Sequence, residues 1–214
     1  MKKISDFYKE YKIMQSLQLH QLRVAAVAMQ ICDSLSIEVD KKTIVIACVL
    51  HDMGNIVKFN FAHFPDFFKP EGIEYWKGIK DEFTEKYGAS DHEATVGIVR
   101  ELGISERIVE LISQNRFNNL CLTQNGDDWA LKILKYADMR VSPKGVLSYD
   151  ERMEEANDRY KNNPDNVTEK ERQELVSCGK KIEDQIFSVS NIKPEDINDD
   201  SIVSYLEKLK DFEI

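Results

Sequence analysis

The sequence is poor in the residues that break or cross-link a chain. Its 214 residues include nine glycines, five prolines and four cysteines. The cysteines lie far apart, without a C-x-x-C pair, at Cys32, Cys48, Cys121 and Cys178. A disulfide framework or a zinc knuckle is typically marked by paired, closely spaced cysteines, so we expect four buried or incidental thiols.

Long hydrophobic runs are also missing. The longest uncharged apolar runs are VAAVAM at residues 24–29 and TIVIACVL at residues 43–50. Both are far shorter than the roughly 20 residues that a membrane-spanning helix needs. No apolar stretch follows the first lysines of MKKISDFYKEYK, as it would in a secretory signal. We therefore expect a cytoplasmic chain without a membrane partner.

An excess of positive charge is the third absence. The chain has 29 Lys and Arg against 38 Asp and Glu, a formal net charge of -9. A protein that coats nucleic acid needs clustered cations to displace counterions, so we expect no polynucleotide partner. A local basic pocket for one phosphate is still compatible with this balance. With 42% hydrophobic and 31% charged residues, the length suits one sizeable core.

Helical periodicity is what the chain does contain. Apolar residues recur every three to four positions, and no strand-like alternation of any length appears. The pattern predicts an all-α fold with helices at about residues 5–35, 42–53, 92–102, 105–114, 129–140, 168–186 and 202–212. Asp40 suits the N-cap of the second helix, and Gly54 the left-handed residue that ends it.

Residues 55–90 form the least regular stretch. Seven aromatic residues lie between positions 59 and 76, among Pro, Gly and acidic residues. A connection of this length is typical of a lid or binding loop, and its Phe rings or Trp76 could stack on a base. The alternative is that the rings complete the hydrophobic core.

A group of metal-ligating residues is the strongest chemical signal. His51 and Asp52 close the apolar run at residues 43–50, with His20 on an earlier helix and Asp138 on a later one. Asp138 shares a helical face with apolar residues, so its carboxylate needs a partner or a metal. Two imidazoles and two carboxylates suit a divalent cation. Such a cation lowers the pKa of the water it binds and neutralises a phosphoryl oxygen.

The alternative interpretation of these residues is structural. In that case both histidines are satisfied core residues, and Asp138 pairs with an arginine such as Arg23. Each residue alone fits this alternative well. The four together fit it poorly, because unpaired buried charges are costly.

Four segments carry a resemblance to a known family: LHQLRVAAVAMQICDSL, ACVLHDMGNI, SDHEATVGIVRELGI and LKILKYADMR. Together they resemble the HD superfamily of metal-dependent phosphohydrolases. The resemblance implies an HD-domain helical bundle with additional C-terminal helices. We expect a single domain over residues 1–214, with a metal-binding core at about residues 15–142 and an extension at residues 143–214. The metal ligands it implies are His20, His51, Asp52 and Asp138.

Proton transfer is less clearly assigned by the resemblance. His92 resembles the extra histidine that some members use for proton transfer, phosphate contact or a second metal. Dinuclear members generally carry two further downstream histidines. The only others here are His63, inside the aromatic stretch, and His92, so a single metal is favoured. Asn55 stands where related phosphodiesterases often have Lys and deoxynucleotidases have Glu. The general acid is therefore open among His92, Glu71 and Glu93.

The candidate contacts for a substrate phosphate are Arg23, Asn55, Lys58 and Arg140. An arginine can bind phosphate through two parallel hydrogen bonds, although surface placement is the default for any single cation.

These features predict a metal-dependent phosphohydrolase that acts on a small phosphorylated metabolite, in the first place a nucleotide. Asp52 and His92 are the expected catalytic residues, and Asp52 also orients the attacking water. The expected cofactor is one divalent ion, among Mn, Co, Ni, Mg, Fe or Zn. The alternatives are a metal- and nucleotide-binding regulatory protein with little turnover, and a diiron oxygenase of the same fold. A homodimer is compatible with the helical surface.

Overall fold

The computed structural model describes residues 2–61, 65–160 and 167–214, and over these ranges the fold is all-α, as predicted. The helices are α1 Ile4–Glu10, α2 Gln15–Ser34, α3 Lys41–Leu50, α4 Ile73–Tyr87, α5 Asp91–Glu101, α6 Glu106–Gln114, α7 Leu120–Asn125, α8 Trp129–Asp138, α9 Tyr149–Tyr160, α10 Glu169–Ser188 and α11 Val203–Leu209. Single 3-10 turns occupy Asn55–Lys58, Pro65–Phe68, Phe117–Asn119 and Pro194–Asp196. One hairpin pairs β1 Val141–Ser142 with β2 Gly145–Val146.

Two apolar helices form the centre of the core. Residues 24–28 of α2 are fully buried, and so is nearly every side chain of α3 from Ile44 to Leu50. Three of the five residues at the centre of α2 are alanines, which let the neighbouring backbones approach closely. α2 packs against α3, α8 and α11, and α3 also packs against α6 and α8. The segments that carry His20, His51 and Asp138 therefore meet around one shared core.

The predicted helix at residues 5–35 is two helices in the structure. The chain turns at Lys12, whose φ of 48° lies in the left-handed region. Ile13 and Met14 are buried just after this turn, and the Gln18 side chain donates a hydrogen bond to the Ile13 carbonyl. This segment has no Gly or Pro to mark the break, and tertiary burial decides the conformation instead.

The predicted irregular stretch at residues 55–90 contains a helix that the sequence analysis missed. α4 is flanked by Gly72 and Gly88, with φ of 89° and 90°. Left-handed conformations of this kind favour glycine. Trp76, Ile79 and Phe83 are buried at helical spacing along one face. The aromatic content of the stretch therefore belongs in part to an amphipathic helix.

The aromatic rings of the connection mostly pack on one another. The Phe61 and Phe68 ring centroids are 5.3 Å apart, and both rings lie within 6 Å of Phe59. Trp76 is only 5% exposed, so the prediction that it stacks on a substrate base is wrong. These rings complete the core, which was the alternative interpretation. His63 lies outside the described residues.

The C-terminal helix α10 covers α7 and α8. α10 begins with a capping box formed by Thr168 and Glu171 and packs against both helices. Cys121 of α7 is joined to Cys178 of α10 in a disulfide, which corrects the expectation of four thiols. The pairing partners are 57 residues apart in sequence and become neighbours only through helix packing.

In the described part of the chain, none of the helices is both long and apolar enough to cross a bilayer.

Candidate metal centre

The turn after α3 carries the His51-Asp52 pair. α3 ends at Leu50, so His51 is its C-cap and Asp52 lies in the following turn rather than in the predicted last helical turn. The His51 Nδ1 lies 2.7 Å from the Cys48 carbonyl oxygen. Because a carbonyl can only accept, Nδ1 carries the proton and the lone pair resides on Nε2. The backbone of α3 thus fixes the tautomer that a metal ligand requires.

Three segments bring the predicted ligands together. The Nε2 atoms of His20 and His51 lie 3.3 Å and 3.4 Å from Asp138 Oδ1. The same two atoms lie 3.7 Å and 3.8 Å from Asp52 Oδ2. The ligand atoms of His20, His51 and Asp52 are all within 4.8 Å of one another. All four residues of the sequence prediction therefore converge on one small volume.

These separations fit ligands that share one cation. Donors bound tetrahedrally at about 2.1 Å from an ion lie about 3.4 Å from each other. The buried His51 Nε2 has no hydrogen-bond partner among the described residues, although it faces two carboxylates. A neutral imidazole that turns its lone pair toward carboxylates is unfavourable unless a cation lies between them. Donor types, spacing and this orphaned nitrogen all fit a divalent metal.

The electrostatics of the metal-free cluster point the same way. Burial alone would lower the pKa of His51, but the charges of Asp52 and Asp138 raise it to about 9. Burial alone would raise the pKa of Asp138, but His51 and His20 hold it well below the ordinary value. In the metal-free protein, the protonated His51 imidazole therefore supplies positive charge that Asp52 and Asp138 stabilise.

Two amide side chains position Asp52. Asn55 Nδ2 donates a hydrogen bond of 2.7 Å to Asp52 Oδ2. The buried Gln21, adjacent to His20 on α2, accepts a hydrogen bond from the Asp52 backbone N–H at 3.3 Å. Asn55 thus contacts a candidate ligand directly, and its role as a substrate contact stays a prediction. Nothing in the spacing of Gln21 distinguishes it from an ordinary helical glutamine.

Gly54 is needed for close approach and not for a left-handed cap. Its φ is -93°, so the prediction of a left-handed C-cap residue is wrong. A Cβ at this position would lie 2.4 Å from the Thr95 backbone nitrogen and 2.7 Å from the Asp91 carbonyl oxygen. The Gly54 N–H donates to the Thr95 hydroxyl, which in turn donates to the Asp91 carbonyl. The turn at residues 51–54, here named the HD turn, therefore packs directly on the first turn of α5.

This contact also sets the position of His92. His92 follows Asp91 in the first turn of α5 and is half-buried. Burial lowers the pKa of His92, and the positive charge of Arg116 lowers it further. The Lys58 ammonium forms an ion pair with Asp91. His92 and Lys58 therefore lie on the side of the HD turn where α5 begins.

The remaining cationic candidates behave differently. Arg140 is 2% exposed, and its guanidinium donates to the Tyr136 hydroxyl and to the carbonyls of Leu147, Pro194 and Ile197. The prediction that Arg140 binds substrate is wrong, because burial and these acceptors occupy its donors.

Arg23 and the two candidate acids lie nearer the surface. The Arg23 Nε lies 3.8 Å from Asp199 Oδ1, so Arg23 does not pair with Asp138 as the structural alternative proposed. Glu71 and Glu93 are both exposed. Their assignment as general acids stays a prediction.

A buried lysine next to the cluster escaped the sequence analysis. Lys135 is 3% exposed and lies one helical turn before Asp138 on α8. Burial lowers the pKa of Lys135 to about 7, against the opposing charge of Asp138. The i,i+3 spacing to a candidate ligand was a visible signal, but lysine is so commonly exposed that the pattern alone does not reveal its burial.

The comparison with known families agrees with this geometry. The family model for the HD domain matches residues 18–139, which is more than half of the chain and includes all four converging residues. No curated protein and no solved structure matches the chain. Helical fold, family match and the His/Asp cluster lead to one conclusion: the chain belongs to the HD superfamily of metal-dependent phosphohydrolases.

Proposed function

We propose that this protein hydrolyses a phosphate ester of a small metabolite, with a nucleotide as the first candidate. The observation that carries the proposal is the His51 imidazole, whose buried Nε2 faces Asp52 and Asp138 while Nδ1 is held by the Cys48 carbonyl. An Nδ1 fixed by a backbone carbonyl and a buried Nε2 that faces two carboxylates without a hydrogen-bond partner among the described residues suit a divalent ion. When bound, that ion supplies charge for a phosphoryl oxygen and acidifies a water.

The residues of the chain would divide the work as follows. His20, His51, Asp52 and Asp138 would hold the metal ion. Asp52, which accepts from Asn55, would keep one carboxylate oxygen directed at the attacking water.

His92 would move the proton in this scheme. Its pKa is lowered, so its imidazole is neutral at pH 7 and can accept a proton. Lys58, paired with Asp91 in the same first turn of α5, would contribute positive charge for the substrate.

A groove along α2 supports a nucleotide-sized substrate. It has a volume of about 420 Å³, within the range of small-ligand sites. Ser16, one helical turn before His20, belongs to its lining, and so do Leu19, Phe67 and Pro143. An apolar wall with one aromatic ring suits a nucleobase.

A second candidate is a metal- and nucleotide-binding regulator with little turnover. It is favoured by Asn55, which is neutral and uses its amide to bind Asp52. A neutral residue at this position leaves the leaving group without a charged proton donor from the HD turn. Such a protein would bind metal and nucleotide and release phosphate slowly.

The test combines metal analysis with turnover. The purified protein is analysed for bound metal and then assayed for phosphate release from a panel of nucleoside mono-, di- and triphosphates with added Mn, Co, Ni, Mg or Zn. We expect about one metal per chain and release that disappears with chelator. Metal and nucleotide binding without turnover would favour the regulator. Two irons per chain would favour the oxygenase, and no metal binding would contradict both proposals.

A further inference from the structure

The turn that follows α6 is fastened to the helix that carries Asp138. We name residues 115–117 the α6 turn. The buried Lys135 ammonium donates to the carbonyl oxygens of Gln114, at 2.8 Å, and Arg116, at 2.6 Å. Lys135 thus clamps the backbone on both sides of Asn115. A turn held by two hydrogen bonds from one buried side chain has a fixed position relative to the next residues of α8.

One side chain of this turn contacts a candidate metal ligand. Asn115 Nδ2 lies 3.5 Å from Asp138 Oδ2. The positive charge of Arg116 also lowers the pKa of His92. The α6 turn therefore borders the candidate ligand Asp138, and its positive charge acts on the candidate proton carrier His92.

Arg116 differs from the other arginine of the same region. The Arg107 guanidinium, on α6, contacts Glu110 at 2.9 Å and Asp128 at 2.7 Å. Arg116 is exposed, and in residues 2–61, 65–160 and 167–214 it has no carboxylate partner. Its backbone is held next to Asn115, which contacts Asp138, so a guanidinium without a carboxylate partner keeps its donors for a ligand near this candidate metal ligand.

We propose that Arg116 binds the phosphoryl group of the substrate and that Lys135 is the residue that positions it. This inference rests on the proposed phosphohydrolase function and adds the phosphate-binding residue. A planar guanidinium binds two phosphoryl oxygens at once, so it both orients the phosphorus and balances its charge. Asn115, next to Arg116, orients Asp138 toward the same group. The ligand class is a phosphate monoester or the terminal phosphate of a nucleotide.

The first experiment removes the guanidinium. Arg116→Met is compared with wild type and with Arg100→Met, which removes an exposed arginine from the far end of α5. Binding of inorganic phosphate to the Mn-loaded protein is measured by calorimetry, with metal content as the check on the cluster. We expect Arg116→Met to weaken phosphate binding at least tenfold at unchanged metal content, whereas Arg100→Met leaves it unchanged.

The outcomes separate this inference from the proposed function. If wild type binds phosphate and Arg116→Met binds it equally well, the assignment of Arg116 is overturned. The same holds if wild type does not bind phosphate at all. If wild type binds phosphate through Arg116 but turns over no ester, the phosphate site stands and the hydrolase proposal fails.

The second experiment tests the clamp. Lys135→Met is compared with Lys132→Met, since Lys132 is also buried on α8 but lies over the Trp129 ring. We expect Lys135→Met, but not Lys132→Met, to raise the KM for the ester and to weaken phosphate binding about as much as Arg116→Met does. Combined with Arg116→Met, it should add little, because the two residues act on one contact. If Lys135→Met weakens phosphate binding equally in wild type and in Arg116→Met, Lys135 acts elsewhere and its positioning role is overturned.

Discussion

The cluster of candidate metal ligands and the α6 turn are neighbours, but they differ in whether side chains or backbone are held in place. In the cluster, buried or half-buried side chains meet, and each is fixed by the helix or turn that carries it. In the α6 turn the backbone is fixed by the buried Lys135, while the Arg116 side chain is left exposed. The cluster is therefore specified by residue types at helical spacing, and the turn by a single long-range clamp. Substitutions should distinguish the two.

Loss of Asp52 should have the largest effect on the cluster. Asp52→Ala removes the oxygen that faces both imidazoles, so we expect loss of bound metal and a fall in activity of at least about 10³-fold. Asp127→Ala removes an exposed carboxylate and serves as the control, which should keep both the bound metal and the activity. Metal analysis and phosphate release report the result. Full metal retention in Asp52→Ala would remove this residue from the ligand set.

The pH dependence of metal binding should follow from the raised pKa of His51. Burial opposes protonation, but Asp52 and Asp138 raise this pKa to about 9 in the metal-free protein. A metal must displace that proton, so its affinity should rise about tenfold per pH unit below pH 9 and then level off. The sign for folding is opposite: the protonated His51 stabilises the metal-free protein fully below about pH 6.5, and this contribution is lost as pH rises through about 9. Calorimetric titration with Mn at several pH values measures the slope, and a flat profile would contradict the assignment.

The close contact at Gly54 should be the next most sensitive feature. Gly54→Ala places a Cβ 2.4 Å from the Thr95 nitrogen, which forces the HD turn away from α5 and should cost about 1–3 kcal/mol in unfolding free energy. Metal affinity should fall with it, because the turn carries Asp52. Gly78→Ala on α4 meets nothing within 4 Å and should stabilise by up to about 1 kcal/mol. Denaturant unfolding compares them, and equal stability of the two variants would contradict this account.

Removal of the amide that supports Asp52 should have the smallest effect of the four. Asn55→Ala deletes the 2.7 Å hydrogen bond to Asp52 and leaves the ligand itself in place. Loss of such a supporting contact typically costs about tenfold in metal affinity. Asn125→Ala, at the exposed end of α7, is the matched control. If Asn55→Ala binds metal as wild type does but has a raised KM, Asn55 contacts substrate instead.

The sequence was informative where a residue's role depends on its own helix. His20, His51, Asp52 and Asp138 stood out because each ligand type sits at the end or on one face of an apolar helical pattern, and the structure brings them together. The all-α fold followed from the same periodicity and is confirmed.

What the sequence could not reveal depends on contacts between distant segments. The predicted helix at residues 5–35 is interrupted at Lys12 without Gly or Pro, because Ile13 and Met14 are buried in the core. The partner of Cys121 is decided by the packing of α7 against α10. Arg140 and Lys135 both look like surface cations, and only the carbonyl acceptors around them explain their burial.

Arg140 also has a practical consequence for anyone who trims this chain. The family match ends at residue 139, yet the next side chain, the buried Arg140, has two of its hydrogen-bond acceptors on Pro194 and Ile197. A fragment cut at the family boundary would expose core and lose the cover over the helix that ends in Asp138. The smallest piece worth expressing for spectroscopy therefore runs past residue 197, whatever the boundary of the sequence profile.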